Sequence, residues 1–166
     1  MSPTTPYRKD LGGRDPLVAL RETPDRIREL LARWSPEQFE RSYAPGKWSA
    51  RQILIHLAQT ELALGNRARM ALSTPDYVAQ AFDQNAWIGR DASLSGPEAL
   101  EAFLALVTMN RALFRSLSAG DRATALSHPE YGAMTVDWII EQMAGHQIHH
   151  FQQLEQIAGR SREPQN

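Results

Sequence analysis

The stretch TVDWIIEQMAGHQIHHFQQLEQIAG, residues 135–159, decides the fold because it has the pattern of one long amphipathic helix. Thr135 is a favourable N-cap residue, and Asp137 places an acidic side chain in the first turn. Side chains recur at spacings of three and four along one seam: Ile139, Met143, His146, His150, Leu154 and Ile157. Two positions of that seam are histidine, where burial normally selects an aliphatic residue.

Three earlier segments show the same helical periodicity. The first begins at Asp15 and is kinked or restarted at Pro24, the second covers residues 50–72, and the third begins at Ser95. The long crossover at residues 73–94 permits the second and third helices to run parallel. Since no alternating strand pattern or repeat is found, the sequence predicts an all-α four-helix bundle with a long crossover between helices 2 and 3.

Length and composition narrow the class of protein. A chain of 166 residues fits one domain, predicted at residues 15–160, with residues 1–14 as a flexible N-terminal segment. The net charge of −1 argues against a nucleic-acid partner, and no apolar stretch reaches the roughly 18 residues of a membrane span. The chain has no cysteine, so any metal must use N or O ligands, and we expect a cytoplasmic location.

The histidines of the last helix form the most informative local pattern. Residues four apart on a helix differ by about 40° in direction, so His146 and His150 project side by side and form a metal clamp. Two ligands rarely suffice, and His56, on the seam of the second helix, is the natural third. Three neutral ligands would leave an open coordination position, which favours catalysis over a purely structural ion.

Each of these residues also has an ordinary structural interpretation. A single histidine on an apolar face is more often a hydrogen-bonded core residue, and the His146/His150 pair could be a solvated patch. His149 points about 100° away from His150 and is predicted to be an outer residue, and His128 is predicted to lie in an exposed loop. Glu61 lies five residues after His56, which makes it a weak candidate for a general base.

Two further sets of side chains are candidates for supporting roles. Glutamines stand three or four residues from the proposed ligands and could orient their rings: Gln52, Gln59, Gln142 and Gln153. Aromatic side chains that could line a substrate pocket lie in and after the crossover: Phe82, Trp87 and Tyr131. For each, a solvated surface position or an ordinary core position is the alternative.

Two stretches resemble a known family. They are PGKWSARQILIHLAQTE, residues 45–61, and EYGAMTVDWIIEQMAGHQIHHFQQLEQI, residues 130–157, and they are similar to the motifs of the DinB-like (DinB/YfiT-like) superfamily of metalloenzymes. The resemblance implies an up-down-down-up bundle and a divalent metal ion held by His56, His146 and His150. Zinc and nickel are the preferred candidates for this ion, followed by iron and manganese. It also implies a homodimer, and activities such as transfer of low-molecular-weight thiols or mycothiol-dependent isomerisation.

Two functions follow as hypotheses. The first is a metal-dependent enzyme that activates a thiol or water toward a small-molecule substrate, as a low-molecular-weight thiol S-transferase or a hydrolase. The alternative is a non-catalytic, metal-binding, stress-related dimeric helical bundle. Because only neutral histidine binds a metal, the unperturbed imidazole pKa predicts that affinity falls as the pH drops through about 6 to 6.5.

Overall fold

The computed structural model describes residues 2–160, which form a helical bundle with one small β-hairpin. Four long helices make the bundle: α2 (Pro16–Leu31), α4 (Ala50–Ser73), α6 (Gly96–Ser116) and α8 (Val136–Arg160). The remaining elements connect or extend them: α1 (Arg8–Leu11), α3 (Pro36–Phe39), α5 (Gln84–Arg90), α7 (Ala119–Arg122), β1 (Ala125–His128) and β2 (Gly132–Thr135). The predicted all-α four-helix bundle is confirmed.

The bundle helices begin where their capping residues predict. The Ser49 hydroxyl accepts from the Gln52 backbone N–H at 3.3 Å, and the Gln52 side chain accepts from the Ser49 backbone N–H at 2.9 Å. The same reciprocal pair forms between Ser95 and Glu98 at the start of α6. The helix α2 runs without interruption through Pro24, so it is not restarted there.

Two apolar clusters show the direction of each helix. One cluster contains the first halves of α2 and α8, with Leu20 and Ile139, and the other contains their second halves, with Ile27 and Leu154. The helices α4 and α6 meet the same two clusters in the opposite order. Thus α2 runs parallel to α8, and α4 runs parallel to α6. This is the predicted up-down-down-up arrangement, in which the long crossover links the parallel pair α4 and α6.

The hairpin of β1 and β2 differs from the prediction, which contained no strands. The strands pair antiparallel with Leu126 opposite Met134, and Gly132 has a φ of 70° where the chain turns. Each strand has four residues, too few to show an alternating pattern in the sequence. The prediction of an exposed loop at His128 is wrong, because β1 carries this residue and buries its side chain.

The N-terminal segment, expected to be flexible, packs against α8. Thr5 and Leu11 are buried, and the Trp138 indole N–H donates to the Pro3 carbonyl at 2.6 Å. The close approach depends on Gly145, where an added Cβ would lie 2.4 Å from the Tyr7 carbonyl oxygen. A glycine inside a long helix thus leaves the notch that receives this segment.

Replacing Gly145 by alanine should detach the N-terminal segment from α8. We expect the free energy of unfolding to fall by about 1–3 kcal/mol, as for other overpacked sites. Thermal denaturation and trypsin cleavage after Arg8 would measure the two effects. The control is Gly159→Ala in the same helix, where a Cβ meets nothing within 4 Å. Equal stability and protease resistance of the two variants would contradict this packing.

Among residues 2–160, we find no helix whose length and apolar character would let it cross a membrane.

Candidate metal centre

A layer of buried polar residues separates the two apolar clusters at the middle of the bundle. Its members come from α4, α6 and α8: His56, Gln59, Thr60, Glu61, Asn110, Gln142, His146, Gln147 and His150. Buried polar side chains destabilise a fold unless they are paired, so a layer of this size is a candidate for function. We refer to it as the polar layer.

Three histidines of the polar layer meet through their Nε2 atoms. The Nε2 of His146 lies 2.8 Å from that of His56 and 3.0 Å from that of His150. Their exposed fractions are only 3% for His56 and 4% for His146 and for His150. The structure therefore brings together the three residues proposed from the sequence, and we call them the histidine cluster.

Burial keeps the rings of the histidine cluster neutral. It lowers the pKa of His56 to about 4 and that of His150 to about 3, and the pKa of His146 lies well below its usual range for the same reason. The mutual repulsion of the charged rings adds to the effect at His146 and His150. Neutral imidazoles have the free lone pairs that a metal ion needs.

A chain of hydrogen bonds fixes which nitrogen of His150 is free. The His150 Nδ1–H donates to Gln153 Oε1 at 2.8 Å, and the Gln153 amide donates to His149 Nε2 at 3.2 Å. The His149 Nδ1–H then donates to Asp10 at 3.3 Å. This order places the His150 proton on Nδ1 and leaves the lone pair of Nε2 facing the histidine cluster.

Gln153 is the glutamine whose contact orients a cluster ring. Of the other three predicted for this role, Gln52 caps α4, and Gln59 donates to Asp91 at 2.6 Å. The Oε1 atom of Gln142 is buried without a hydrogen-bond partner among the described residues. His149, predicted to be an outer residue, contacts Gln153 and Asp10 and stands one step behind His150.

Replacing Gln153 by leucine should weaken metal binding without removing any residue of the histidine cluster. The change deletes the acceptor that holds the His150 proton on Nδ1, and such outer contacts typically contribute a factor of about 10 to 100 in affinity. Competition with a fluorescent zinc chelator would measure this factor. The control is Gln152→Leu, at an exposed neighbouring position. If both variants bind zinc as the wild type does, Gln153 has no orienting role.

Two aromatic rings that were not among the predicted site residues, Trp48 and Tyr7, cover the histidine cluster. The Trp48 ring centroid lies 4.8 Å from that of His56 and 6.3 Å from that of His150. The Tyr7 ring meets His146 edge-on at 5.1 Å. Two features of the sequence could have indicated these rings. Gly145 indicates that another segment approaches α8 closely, and Trp48 lies directly before the Ser49 cap of α4.

Two adjoining cavities reach the histidine cluster. The arginine cavity, about 370 Å³, is lined by His56 and His146 together with Arg67, and the tryptophan cavity, about 350 Å³, by His56 and His150 together with Trp48. Tyr7, His56 and Gln84 line both. Of the three aromatic residues proposed for a pocket, Phe82 and Tyr131 line the arginine cavity, whereas Trp87 packs against Phe82 outside it.

Glu61 belongs to the polar layer but points away from the histidine cluster. Its carboxylate accepts from Asn110 at 2.8 Å and from Gln147 at 2.6 Å, and it lines neither cavity. Burial raises the pKa of Glu61 to about 7. The contact needs Gly65, because a Cβ there would lie 2.2 Å from the Asn110 side chain. These contacts agree with the prediction that Glu61 is a weak candidate for a general base.

The chemistry of the histidine cluster fits a divalent transition-metal ion. Three neutral nitrogen donors lie within 4.8 Å of one another, and no carboxylate of the described residues joins them. Such a site suits zinc, nickel or iron(II) better than magnesium or calcium, which prefer oxygen ligands. The adjoining cavities leave room for a further ligand.

Comparison with known proteins identifies the family. The profile of the DinB superfamily matches residues 19–154, most of the chain. The chain belongs to the DinB superfamily. It is 26% identical over 142 residues to "Putative metal-dependent hydrolase OB0782" of Oceanobacillus iheyensis, covering 85% of this chain and 83% of that protein. A Bacillus licheniformis protein with the same description is 30% identical over 115 residues, 68% of this chain and 65% of that one.

Two solved structures show the same fold. YfiT from Bacillus subtilis, described as a probable metal-dependent hydrolase with an unusual four-helix bundle topology, superposes with a TM-score of 0.80 at 20% identity, over 88% of this chain and 85% of that one. The mycothiol-dependent maleylpyruvate isomerase superposes with a TM-score of 0.71 at 17% identity, over 92% of this chain but only 63% of that one. The shared part is thus the helical bundle.

Proposed function

We propose that this DinB superfamily protein is a metal-dependent enzyme that activates a thiol or water, as a low-molecular-weight thiol S-transferase or a hydrolase. Zinc or nickel is the proposed ion, with iron and manganese as the other candidates. The observation that carries the proposal is the convergence of three buried, neutral Nε2 atoms between two cavities. A purely structural role for these rings would not require cavities beside them.

The residues of the site have distinct proposed roles. His56, His146 and His150 would hold the ion, which when bound would supply Lewis acidity and lower the pKa of a thiol or water. Gln153 fixes the orientation of His150. Trp48 and Tyr7 cover the rings and limit the access of bulk water, which strengthens electrostatic interactions at the centre.

The comparisons support both versions of the reaction. Several relatives are described as metal-dependent hydrolases, which supports activation of water. One structural neighbour is described as mycothiol-dependent, which supports a small-molecule thiol. Two cavities that meet at one centre suit a two-substrate reaction, with the thiol in one cavity and its electrophilic partner in the other.

The test is a substrate screen on protein loaded separately with zinc and with nickel. Bacillithiol, mycothiol and cysteine would be combined with small electrophiles, and activated esters would be supplied without thiol to detect hydrolysis. We expect turnover that chelation removes and that His150→Ala lacks. Turnover that survives His150→Ala would contradict the mechanism. A protein that binds metal and is stabilised by it, but is inactive in every combination, would favour the non-catalytic bundle.

Homodimerisation and a cytoplasmic location complete the proposal. Two exposed apolar side chains, Leu62 on α4 and Met109 on α6, lie on helices that pack together and are candidates for a dimer surface. Sedimentation equilibrium of the wild type and of Leu62→Glu would test the interface, since a buried charge should dissociate the dimer. Cell fractionation would test the location.

A further inference from the structure

Arg67 is a buried cation that forms no ion pair with the acidic side chains of residues 2–160. Its exposed fraction is 7%, and its guanidinium donates to the Gln80 carbonyl and lies 5.8 Å from the Phe82 ring centroid. None of the ion pairs formed among residues 2–160 includes it. A guanidinium stays charged in proteins and has several N–H donors, so one carbonyl leaves most of its donors unused.

His128 provides a second unpaired donor nearby. The Glu130 backbone N–H donates to His128 Nδ1 at 3.1 Å, so the proton of the neutral ring resides on Nε2. That Nε2 is buried and has no hydrogen-bond partner among the described residues. The residue is only 4% exposed, so the missing partner is costly unless a ligand supplies it.

Both donors line the arginine cavity, which also reaches the histidine cluster. Its volume of about 370 Å³ falls within the usual range of small-molecule sites. On α4, His56 and Arg67 lie eleven residues apart on nearly the same face, which separates their Cα atoms by about 16 Å along the helix. The cavity therefore connects a cationic end with a candidate metal end.

We propose that Arg67 and His128 bind a carboxylate of the substrate, so that the arginine cavity selects a small organic acid whose reacting end extends toward the histidine cluster. A carboxylate matches the planar fork of the guanidinium and accepts the His128 N–H as well. That the bound acid is a substrate rests on the proposed function. The carboxylate site itself requires no metal.

The acidic side chains at the cavity are the alternative partners of Arg67. Asp83 and Glu130 also line it, but both are exposed, and Asp83 accepts from the backbone N–H groups of Asn85 and Ala86 at the start of α5. Glu130 is therefore the carboxylate to test. If it neutralised Arg67 in solution, Glu130→Gln would strengthen anion binding; if Arg67 is free for a ligand, the variant should bind much as the wild type does.

The direct test is calorimetric titration of the metal-free protein with succinate, and with succinamide as its uncharged counterpart. We expect saturable binding of succinate and at least about tenfold weaker binding of succinamide, because hydrogen bonds to a charged group contribute more than neutral ones. Arg67→Met should weaken succinate binding by about ten- to a hundredfold, and Arg67→Lys by less. Zinc binding by both variants should be unchanged.

A wild-type measurement guards against variants that fail to fold. The arginine Nε–H resonances would be followed by NMR during the succinate titration, and one shifting resonance, absent in Arg67→Lys, is expected. The proposal is overturned if succinate does not bind, if succinamide binds equally well, if Arg67→Met binds succinate normally, or if Glu130→Gln strengthens binding about tenfold. Inorganic phosphate binding in place of succinate would overturn the assignment to carboxylate.

The outcome also separates this inference from the proposed function. Succinate binding by a protein that takes up no zinc or nickel would remove the metal-dependent function and leave the anion site standing. Zinc binding and turnover without any affinity for succinate would support the metal-dependent function and rule out the proposed carboxylate site.

Discussion

Replacing His146 by alanine is expected to lower zinc and nickel affinity by at least about a hundredfold. His146 is the central member of the histidine cluster, since its Nε2 contacts the Nε2 atoms of both His56 and His150. The free energy of zinc binding to sites with four ligands is about 10–16 kcal/mol, so each ligand contributes about 3 kcal/mol. This corresponds to about a hundredfold change in the dissociation constant. Chelator competition and elemental analysis of the purified variant would measure the loss.

The matched control for this experiment is His149→Ala. It removes the same side chain from the same helix, but His149 lies outside the histidine cluster, which it contacts through Gln153 and edge-on at the His150 ring, with 5.2 Å between the ring centroids. We expect less than a tenfold change in affinity. If His149→Ala lowers metal affinity as much as His146→Ala, or if His146→Ala binds metal normally, the ligand assignment is wrong. Circular dichroism would establish that both variants are folded.

The bundle and the pairing of His146 with His150 were predictable because they depend on local sequence. Helix starts at Ser49 and Ser95 follow from capping boxes, and the adjacency of His146 and His150 follows from helical geometry. The approach of His56 depends on how α4 packs against α8. Spacing alone left it open, and the family resemblance supplied it.

The Tyr7 ring that covers the histidine cluster and the Arg67 and His128 end of the arginine cavity were not predictable. Their positions depend on contacts between segments that are distant in the sequence. Tyr7 lies in a segment without periodicity, and its position depends on the notch at Gly145. His128 is buried by a hairpin whose strands are too short to leave a pattern. Arg67 looks like an ordinary charged helix residue until the crossover is folded over it and the Gln80 carbonyl receives its N–H.

The polar layer explains why site and stability are linked in this protein. It interrupts the apolar core with neutral histidines on one side and with Glu61 on the other. Both are held in the protonation state that burial favours, which differs from the state they would adopt in the unfolded chain near pH 5.5. The free energy of unfolding must therefore depend on pH.

The metal-free protein should lose roughly 2–3 kcal/mol of stability for each pH unit between pH 6.5 and 4.5. In the folded state the histidine cluster stays neutral, since the pKa is about 4 for His56, about 3 for His150 and well below the usual range for His146. In the unfolded chain each ring takes up a proton below about pH 6.5. The unfolded state then binds more protons, so the free energy of unfolding falls with pH by about 1.4 kcal/mol per unit and ring.

Glu61 acts in the opposite direction over the same range. Its folded pKa of about 7 lies above its ordinary value of 4.5, so in this window the folded state holds a proton that the unfolded state releases. The Glu61 proton therefore cancels the contribution of one of the three histidines, and the remaining two account for the net loss of roughly 2–3 kcal/mol per pH unit. Glu61→Gln removes the offset and should make the slope steeper by about 1.4 kcal/mol per pH unit.

Urea unfolding of metal-free protein at intervals between pH 7 and 4.5 would measure these slopes. Since domains are stable by about 5–15 kcal/mol, the metal-free protein should be near its unfolding midpoint at the acidic end. A flat profile, or one with the same slope in Glu61→Gln, would show that the polar layer is not protonated as the structure indicates.

Zinc should protect the protein against this loss of stability at acidic pH. The lowered pKa values also change the pH dependence of metal affinity that an unperturbed histidine would predict. Because the folded rings remain neutral to about pH 4, zinc affinity for the folded protein should stay nearly constant from pH 7 to 5 instead of falling near pH 6 to 6.5. Bound zinc adds a stabilisation that grows with its concentration relative to the dissociation constant. Urea unfolding at pH 5 with and without excess zinc would compare the stability of the zinc-bound and the metal-free protein. Loss of zinc above pH 6 would contradict the lowered pKa values of the histidine cluster.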